Sequence, residues 1–588
     1  NNASGDNTYT GAITMASSSR IESVNGTTLT INVASGNAIV GVYTLTLGGE
    51  GNITISDSVG ASNGLALKKL EAGTVILSAA NTYTGTTTVE AGTLKLTGTL
   101  SDSTAVTVTG GTYDVDAIDT VASIAGTGGT IDITGAALTA GGSNASTSFT
   151  GVLSGAQKFT KTGSGTLTLG GNSSGYTGIV QINAGSIKIS ADNNLGNPNT
   201  SDADRLTLNG GTLETTGSFT LNSNRGITLS GNGTINTGSG TVAYAGVIAG
   251  SNNFTKSGSG TLNLTASNTY TGTTLISAGT LKLSGSGLLA GTALTVNSGG
   301  TYDVDASDTI GSIAGAGSID IAGSQILNVG GNNSSTSFTG VISGAGALTK
   351  SGSGTLTLSG TNTYTGATSI TAGKIAISNA TGLGTTDGAT TVASGAALSI
   401  SGGITVAEPI TISGTGISSG GAIVFTGGNN TYSGAITVGA TSTIVSTGGA
   451  QTISATVNGG QALTITANGN LVISGAVGGS TDLSSYAVTT TGSASQTFSA
   501  NVETTGNQTY TAAGGIVTSG ARTFDSSGGT VNFASALSGN NNVTVTGNAD
   551  IDGAITDIAV LSISGTSNVG ADITTSDTQT YTGAVTLS

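Results

Sequence analysis

Two sets of aspartates, Asp114, Asp116 and Asp119 and, further along the chain, Asp303, Asp305 and Asp308, are the most regular oxygen donors in the sequence, each within TYDVDAxDT. In an extended segment Asp114 and Asp116 fall on one face, opposite Tyr113 and Val115, because side chains alternate. Two chemistries follow. Asp114, Asp116, Asp303 and Asp305 are candidate calcium ligands, since Ca²⁺ takes several oxygen donors, and paired carboxylates are also the acid and base of glycoside hydrolysis. Against both, two or three carboxylates rarely complete a metal site, the GGxGxD spacing of the calcium nonapeptide is missing, and an active site is rarely copied with its scaffold at a fixed period. Solvated aspartates are the expectation, with no catalytic residue, no metal centre and no cofactor.

The other chemical groups are equally sparse. Histidine and cysteine are both absent, which excludes the usual zinc sites, disulfides, thiolate nucleophiles and Ser-His catalysis. Lys161, Lys256 and Lys350 each precede a GSG turn, and Lys69 stands at the same place before LEAG. As isolated cations in an acidic chain they are expected to be solvated corner charges rather than contacts to polyanionic glycans. Tyr9, Tyr83, Tyr176, Tyr270, Tyr364, Tyr432, Tyr510 and Tyr581 recur in a YTG-like element. They suit either an aromatic track for sugars or a structural repeat in which each ring packs inward at a corner; the structural role is favoured. Glycine pairs such as Gly141-Gly142 lack the lysine, serine and helix of a phosphate loop. A flat ice-binding threonine array would need Thr-X-Thr at constant register, and the pairs drift.

All these residues sit in strand grammar. In LTKSGSGTLTLSGTNTYTGATSITAGKIAIS, from Leu348 to Ser378, Leu356 and Leu358 alternate with threonines, Ile375 and Ile377 flank Ala376, and glycines punctuate every few residues. Such alternation predicts short strands with one buried face, and the glycines predict corners. The unit recurs around Lys69, Lys161 and Lys256 at spacings of 92, 95 and 94 residues. A repeat buries its apolar face only against its neighbours. With about 20 to 25 residues per coil in three strands, each module makes about four coils.

The order Lys, GSGTLxL, NTYTG, β-branched strand, AGxLxL resembles the autotransporter-associated β-strand repeat, also called the passenger-associated transport repeat. The resemblance spans roughly 65 to 380. It implies a right-handed parallel β-helix in the secreted passenger of a Gram-negative surface protein, commonly an adhesin or fibrous stalk, and it carries no catalytic residues. The C-terminal third loosely resembles the repeats of giant haemagglutinin-type exoproteins. The fold expected is all-β, a β-solenoid forming a single elongated rod: N-terminal coils over 1–64, four repeat modules over 65–380, and degenerate coils over 381–588. A separate β-sandwich from about Gly428 to the C-terminal end is the alternative.

Composition narrows the partners. The chain has 588 residues, 100 of them Gly, with 7% charged and a net charge of -15. Nucleic-acid binding is excluded for want of a basic stripe, and no apolar run is long enough to span a membrane. All ten lysines lie between Lys68 and Lys374. Pro198 marks the most polar stretch, Asp192 to Arg205, read as a loop protruding from the rod. The absence of cysteine suits passage through an oxidising periplasm in an unfolded state. Both ends fall inside YTG elements, so a processed passenger or the ordered part of a longer protein is expected, with targeting and anchoring segments elsewhere. The function expected is a non-enzymatic secreted surface rod, outer-membrane anchored or released, serving as adhesin stalk or as protomer of an extracellular filament or matrix. Its partners would be itself, end to end or laterally, or a host, neighbouring-cell or matrix surface, including glycans. A polysaccharide-binding or polysaccharide-processing β-helix is the alternative.

Overall fold

A computed structural model describes residues 2–60, 64–289 and 291–588. The regular elements of the described residues are short strands joined by turns and bends; two single 3-10 turns, Asp192–Leu195 and Ile417–Ser419, are their only helical elements. The strands pair in parallel throughout. Each strand finds its partner in the next circuit of the chain, as Thr74 pairs with Thr93 and Val180 with Leu206. Parallel pairing between such near neighbours in sequence needs a full turn of chain between partners. The fold is therefore a β-solenoid. The parallel pairing continues beyond Gly428 to the C-terminal strands, where a sandwich would be antiparallel.

Two compact units divide the chain, Asn1–Ala290 and Gly291–Ser588. In the first, Ser123–Ala125 pairs back to Ala105–Val108, Thr130–Asp132 to Thr112–Val115, and Leu138–Ala140 to Asp119–Val121, so one coil contributes to three sheets. The alternation read from sequence fixes which side faces in. Ile53, Val75, Leu94, Tyr113, Ile131 and Leu153 stack in register as one interior column, and all are at most 1% exposed. Thr74, Thr93, Thr112 and Thr130 form the column just outside it. Each buried aliphatic side chain contributes about 1.5–3 kcal/mol, and a one-residue slip would turn the whole column outward.

The second unit follows the same rule with larger side chains. Ile444, Ile465, Val488, Tyr510, Phe533 and Ile551 stack in register. Tyr510 stacks on Phe533 at 5.7 Å and meets Phe498 and Phe524 edge-on at 5.1 and 5.3 Å. Aromatic contacts of this geometry add about 0.5–1.5 kcal/mol beyond burial.

Candidate functional site

The repeated lysines are interior, which corrects the expectation of solvated corner charges. Lys69, Lys161, Lys256 and Lys350 are at most 2% exposed. Each occupies an inward position at the end of a strand, and its Nζ donates to three backbone carbonyls. Lys256 Nζ reaches Ser257 O and Gly258 O at 2.9 Å and Ala278 O, one coil on, at 3.1 Å. Lys69, Lys161 and Lys350 repeat this with the carbonyls of Ala91, Ala184 and Ala372, one coil on. The ammonium thus satisfies corner acceptors that would otherwise be buried and unpaired. Burial pulls the Lys69 and Lys256 amines down to about 8, and lowers Lys161 and Lys350 as well. The glycine of AGxLxL is required here: Gly92 has φ +63°, and a Cβ on it would lie 2.2 Å from Glu71 O and 2.6 Å from Lys69 Nζ.

The tyrosines close a second corner. Tyr83, Tyr176, Tyr270, Tyr364, Tyr432 and Tyr510 are fully buried, leaving no ring face for a sugar, whereas Tyr9 is exposed and Tyr581 half-buried. Tyr83, Tyr270 and Tyr364 share hydrogen bonds of 2.7, 2.6 and 2.5 Å with the threonine four residues on, Thr87, Thr274 and Thr368. Where that position is Val180, the Tyr176 hydroxyl donates instead to Gln157 O and Ile179 O. Desolvation raises the pKa of the Tyr83, Tyr176, Tyr364, Tyr432 and Tyr510 phenols. Two residues before the tyrosine, Asn81, Asn268 and Asn362 accept from the backbone N–H of Val59, Ile248 and Ile342 in the preceding coil. Their amides donate to Thr99 O, Leu288 O and Gly382 O in the following one. The NTY triplet thus bonds three successive coils.

The aspartates divide into two groups. Lys95 Nζ lies 2.9 Å from Asp114 Oδ2 and also bridges Asp116, so this carboxylate pair is ion-paired rather than merely solvated. Asp303 sits in register beside Asp320, and both Asp303 and Asp305 have polar partners. Among the described residues, no group of three or more carboxylates is arranged to hold a metal ion. Asp119 and Asp308 are 2% exposed: Asp119 accepts from Tyr113 Oη at 2.9 Å and Leu100 N at 3.0 Å, and Asp308 from Tyr302 Oη. Burial raises Asp119 to about 6.

Asp192 to Arg205 does not protrude as a free loop. Arg225, 1% exposed and missed in the sequence, makes paired bonds of 2.9 and 3.0 Å to the Asp192 carboxylate and donates to Leu195 O and Gly196 O. Leu195 and Pro198 are buried. The one charged cluster beyond, Asp202, Asp204 and Arg205, holds a 3.4 Å contact between Arg205 Nε and Asp202 Oδ2. A lone arginine in NSNRG carries no repeat signal, so only three-dimensional proximity reveals the clamp.

The four lysine cages and the buried tyrosines from Tyr83 to Tyr432 in that series fall where the chain matches a family model, and Tyr510 lies beyond it. Residues 67–96, 159–189, 254–283, 348–377 and 418–440 match the passenger-associated-transport-repeat. The chain carries passenger-associated transport repeats. The fifth lies beyond the four legible from the lysine signature; it keeps Asn430 and Tyr432 but has no lysine. The lysine column there holds Val438; at another corner Gln451, beside Asn430 in the next coil, donates through its amide to Gly428 O and Gly448 O at 2.9 and 2.8 Å. Gln496 and Gln508 cap carbonyls further along. The chain is also 35% identical over 221 residues, 32% of its length, to "Adhesin BmaC autotransporter" of Brucella suis biovar 1 (strain 1330), and it spans 6% of that protein. No solved structure matches significantly. Among the described residues no helix is long and apolar enough to cross a membrane.

Proposed function

We propose that the chain is part of an exported, non-enzymatic surface adhesin, a solenoid stalk displayed at or released from the outer membrane of a Gram-negative bacterium. The observation that carries this reading is the coincidence of transport repeats with inward-facing chemistry. The recurring Lys, Asn and most of the recurring Tyr are spent on groups between and within coils, so what the repeat preserves is a scaffold rather than a reaction centre. The outer columns of threonine, serine and asparagine present hydroxyls and amides, groups that hydrogen-bond to glycans or matrix polymers without a charged patch. The name of the Brucella relative supports adhesion as the role. Lateral or end-to-end association into a filament or matrix is the finer form of the same proposal.

The test is an in-frame deletion of residues 65–380 in the native protein, with adhesion to host cells, sister cells and coated matrix proteins measured beside surface display. Adhesion lost or shortened in reach, with display retained, supports the stalk; unchanged adhesion on all surfaces contradicts it. Electron microscopy of the purified protein separates filaments from single particles.

A further inference from the structure

Within Gly291–Ser588, Glu408 is a buried residue whose carboxyl group the coils around it leave short of hydrogen-bond donors. Glu408 is 4% exposed. Its Oε1 accepts only a long 3.5 Å bond from Thr390 Oγ1, and its Oε2 is shielded from solvent with no hydrogen-bond partner. Thr390 is in register with Thr368 on one side and Ile410 on the other, so Glu408 faces the same corner column in which Tyr364 bonds Thr368. The Tyr432 hydroxyl closes the other side, donating to Glu408 O at 2.7 Å. The titratable groups facing Glu408 are the Asp387 carboxylate and the phenols of Tyr364 and Tyr432. None of these offers a positive charge. A carboxylate in such a place lacks the donors that make burial tolerable, whereas the neutral acid fits at far lower cost.

We propose that Glu408 makes the coils from Thr390 to Tyr432 a pH-sensitive latch, closed while its carboxyl is protonated and opening locally when it ionises. Burial first, then the nearby Asp387 charge, raises the group from 4.5 to about 7. The sign follows from linkage. Because the closed-state value is raised, the stabilisation is complete below about 4.5 and is lost as pH rises through about 7. Between pH 6 and pH 8 the fraction of locally open coils is expected to rise about tenfold. Glu408 itself lies between the fourth and fifth transport repeats, which end at 377 and begin at 418, and the Tyr432 that closes on it belongs to the fifth. A mildly alkaline medium would therefore loosen the solenoid at that point while leaving the coils on either side closed.

Hydrogen exchange of the full chain, corrected for intrinsic rates and read by mass spectrometry from pH 6 to 8, tests this. Peptides covering 385–432 are expected to lose about tenfold in protection, and peptides covering 455–475 to stay level. Glu408→Gln, and Glu408→Met as a second variant that replaces the carboxyl with apolar surface, are each expected to abolish the local pH response. The same pH response in either folded variant, a flat wild-type profile, or an equal response in the 455–475 peptides overturns the proposal.

Discussion

Replacing Lys256 by methionine removes an ammonium group from its cage and leaves an unbranched stem to fill the space. Ser257 O, Gly258 O and Ala278 O then lose their donor. Each buried acceptor left unpaired costs about 1–3 kcal/mol. Part of that is offset because the charge no longer has to be held out of water, a cost visible in the fall of the amine to about 8. The expected net loss is about 2–4 kcal/mol. A solenoid couples mainly nearest neighbours, so the loss should be concentrated in peptides covering 254–283, read by hydrogen exchange and by urea unfolding followed by circular dichroism. Lys256→Gln should lose roughly half as much, because a buried glutamine amide can cap two carbonyls, as that of Gln451 does with Gly428 O and Gly448 O. Lys188→Met is the control: Lys188 pairs with Glu214 on the surface at 2.7 Å, and exposed pairs contribute about 0–1 kcal/mol. If Lys256→Met is as stable as wild type at neutral pH, or no worse than Lys188→Met, the cages do not hold the coils.

Arg225→Met should cost about 3–5 kcal/mol locally by stranding the Asp192 carboxylate, and should expose 190–201 to limited proteolysis; resistance equal to wild type would show that the clamp is idle. Tyr364→Phe, which deletes the 2.5 Å bond to Thr368, is expected to lose about 1 kcal/mol in urea unfolding, the usual net value of one hydrogen bond. Leu94→Ala, in the first unit's interior column, should lose about 2–5 kcal/mol in the same assay. Stability should also rise from about pH 8 towards pH 10, because the unfolded chain keeps protons on Lys69 and Lys256 that the folded one has released. Above pH 10 it should fall, since the folded chain retains protons on buried phenols that the unfolded chain gives up. Lys256→Met should flatten the rising limb.

Strand position is legible in the sequence because period-two alternation states directly which side chain faces in: Leu94 and Leu96 are buried, Thr93 and Lys95 are not. The coil repeat is legible because Lys, Gly and Tyr recur in fixed order. Direction of burial fails at the corners, where alternation breaks and charge suggests water. Lys161 has the sequence character of a solvated residue, and only the convergence of Thr162, Gly163 and Ala184 carbonyls makes its interior place favourable. A usable signal is present all the same: each caged lysine is followed one coil on by an AG dipeptide, Ala91-Gly92 after Lys69 and Ala278-Gly279 after Lys256, the residue pair that supplies the third carbonyl and the glycine it needs. Asp119 and Asp308 group with their outward neighbours in sequence for the same reason; a turn of chain after Asp116 rotates Asp119 inward to Tyr113, as Asp308 meets Tyr302. Arg225 and Glu408 occur once each, so no repetition points to them.

The central claim, that these coils stand outside the cell as part of an adhesin, is tested most directly by protease shaving of intact bacteria producing the native protein. The account predicts that peptides from 65 to 588 are released into the supernatant while a periplasmic marker stays intact. Peptides from this chain appearing only after the outer membrane is permeabilised would contradict it.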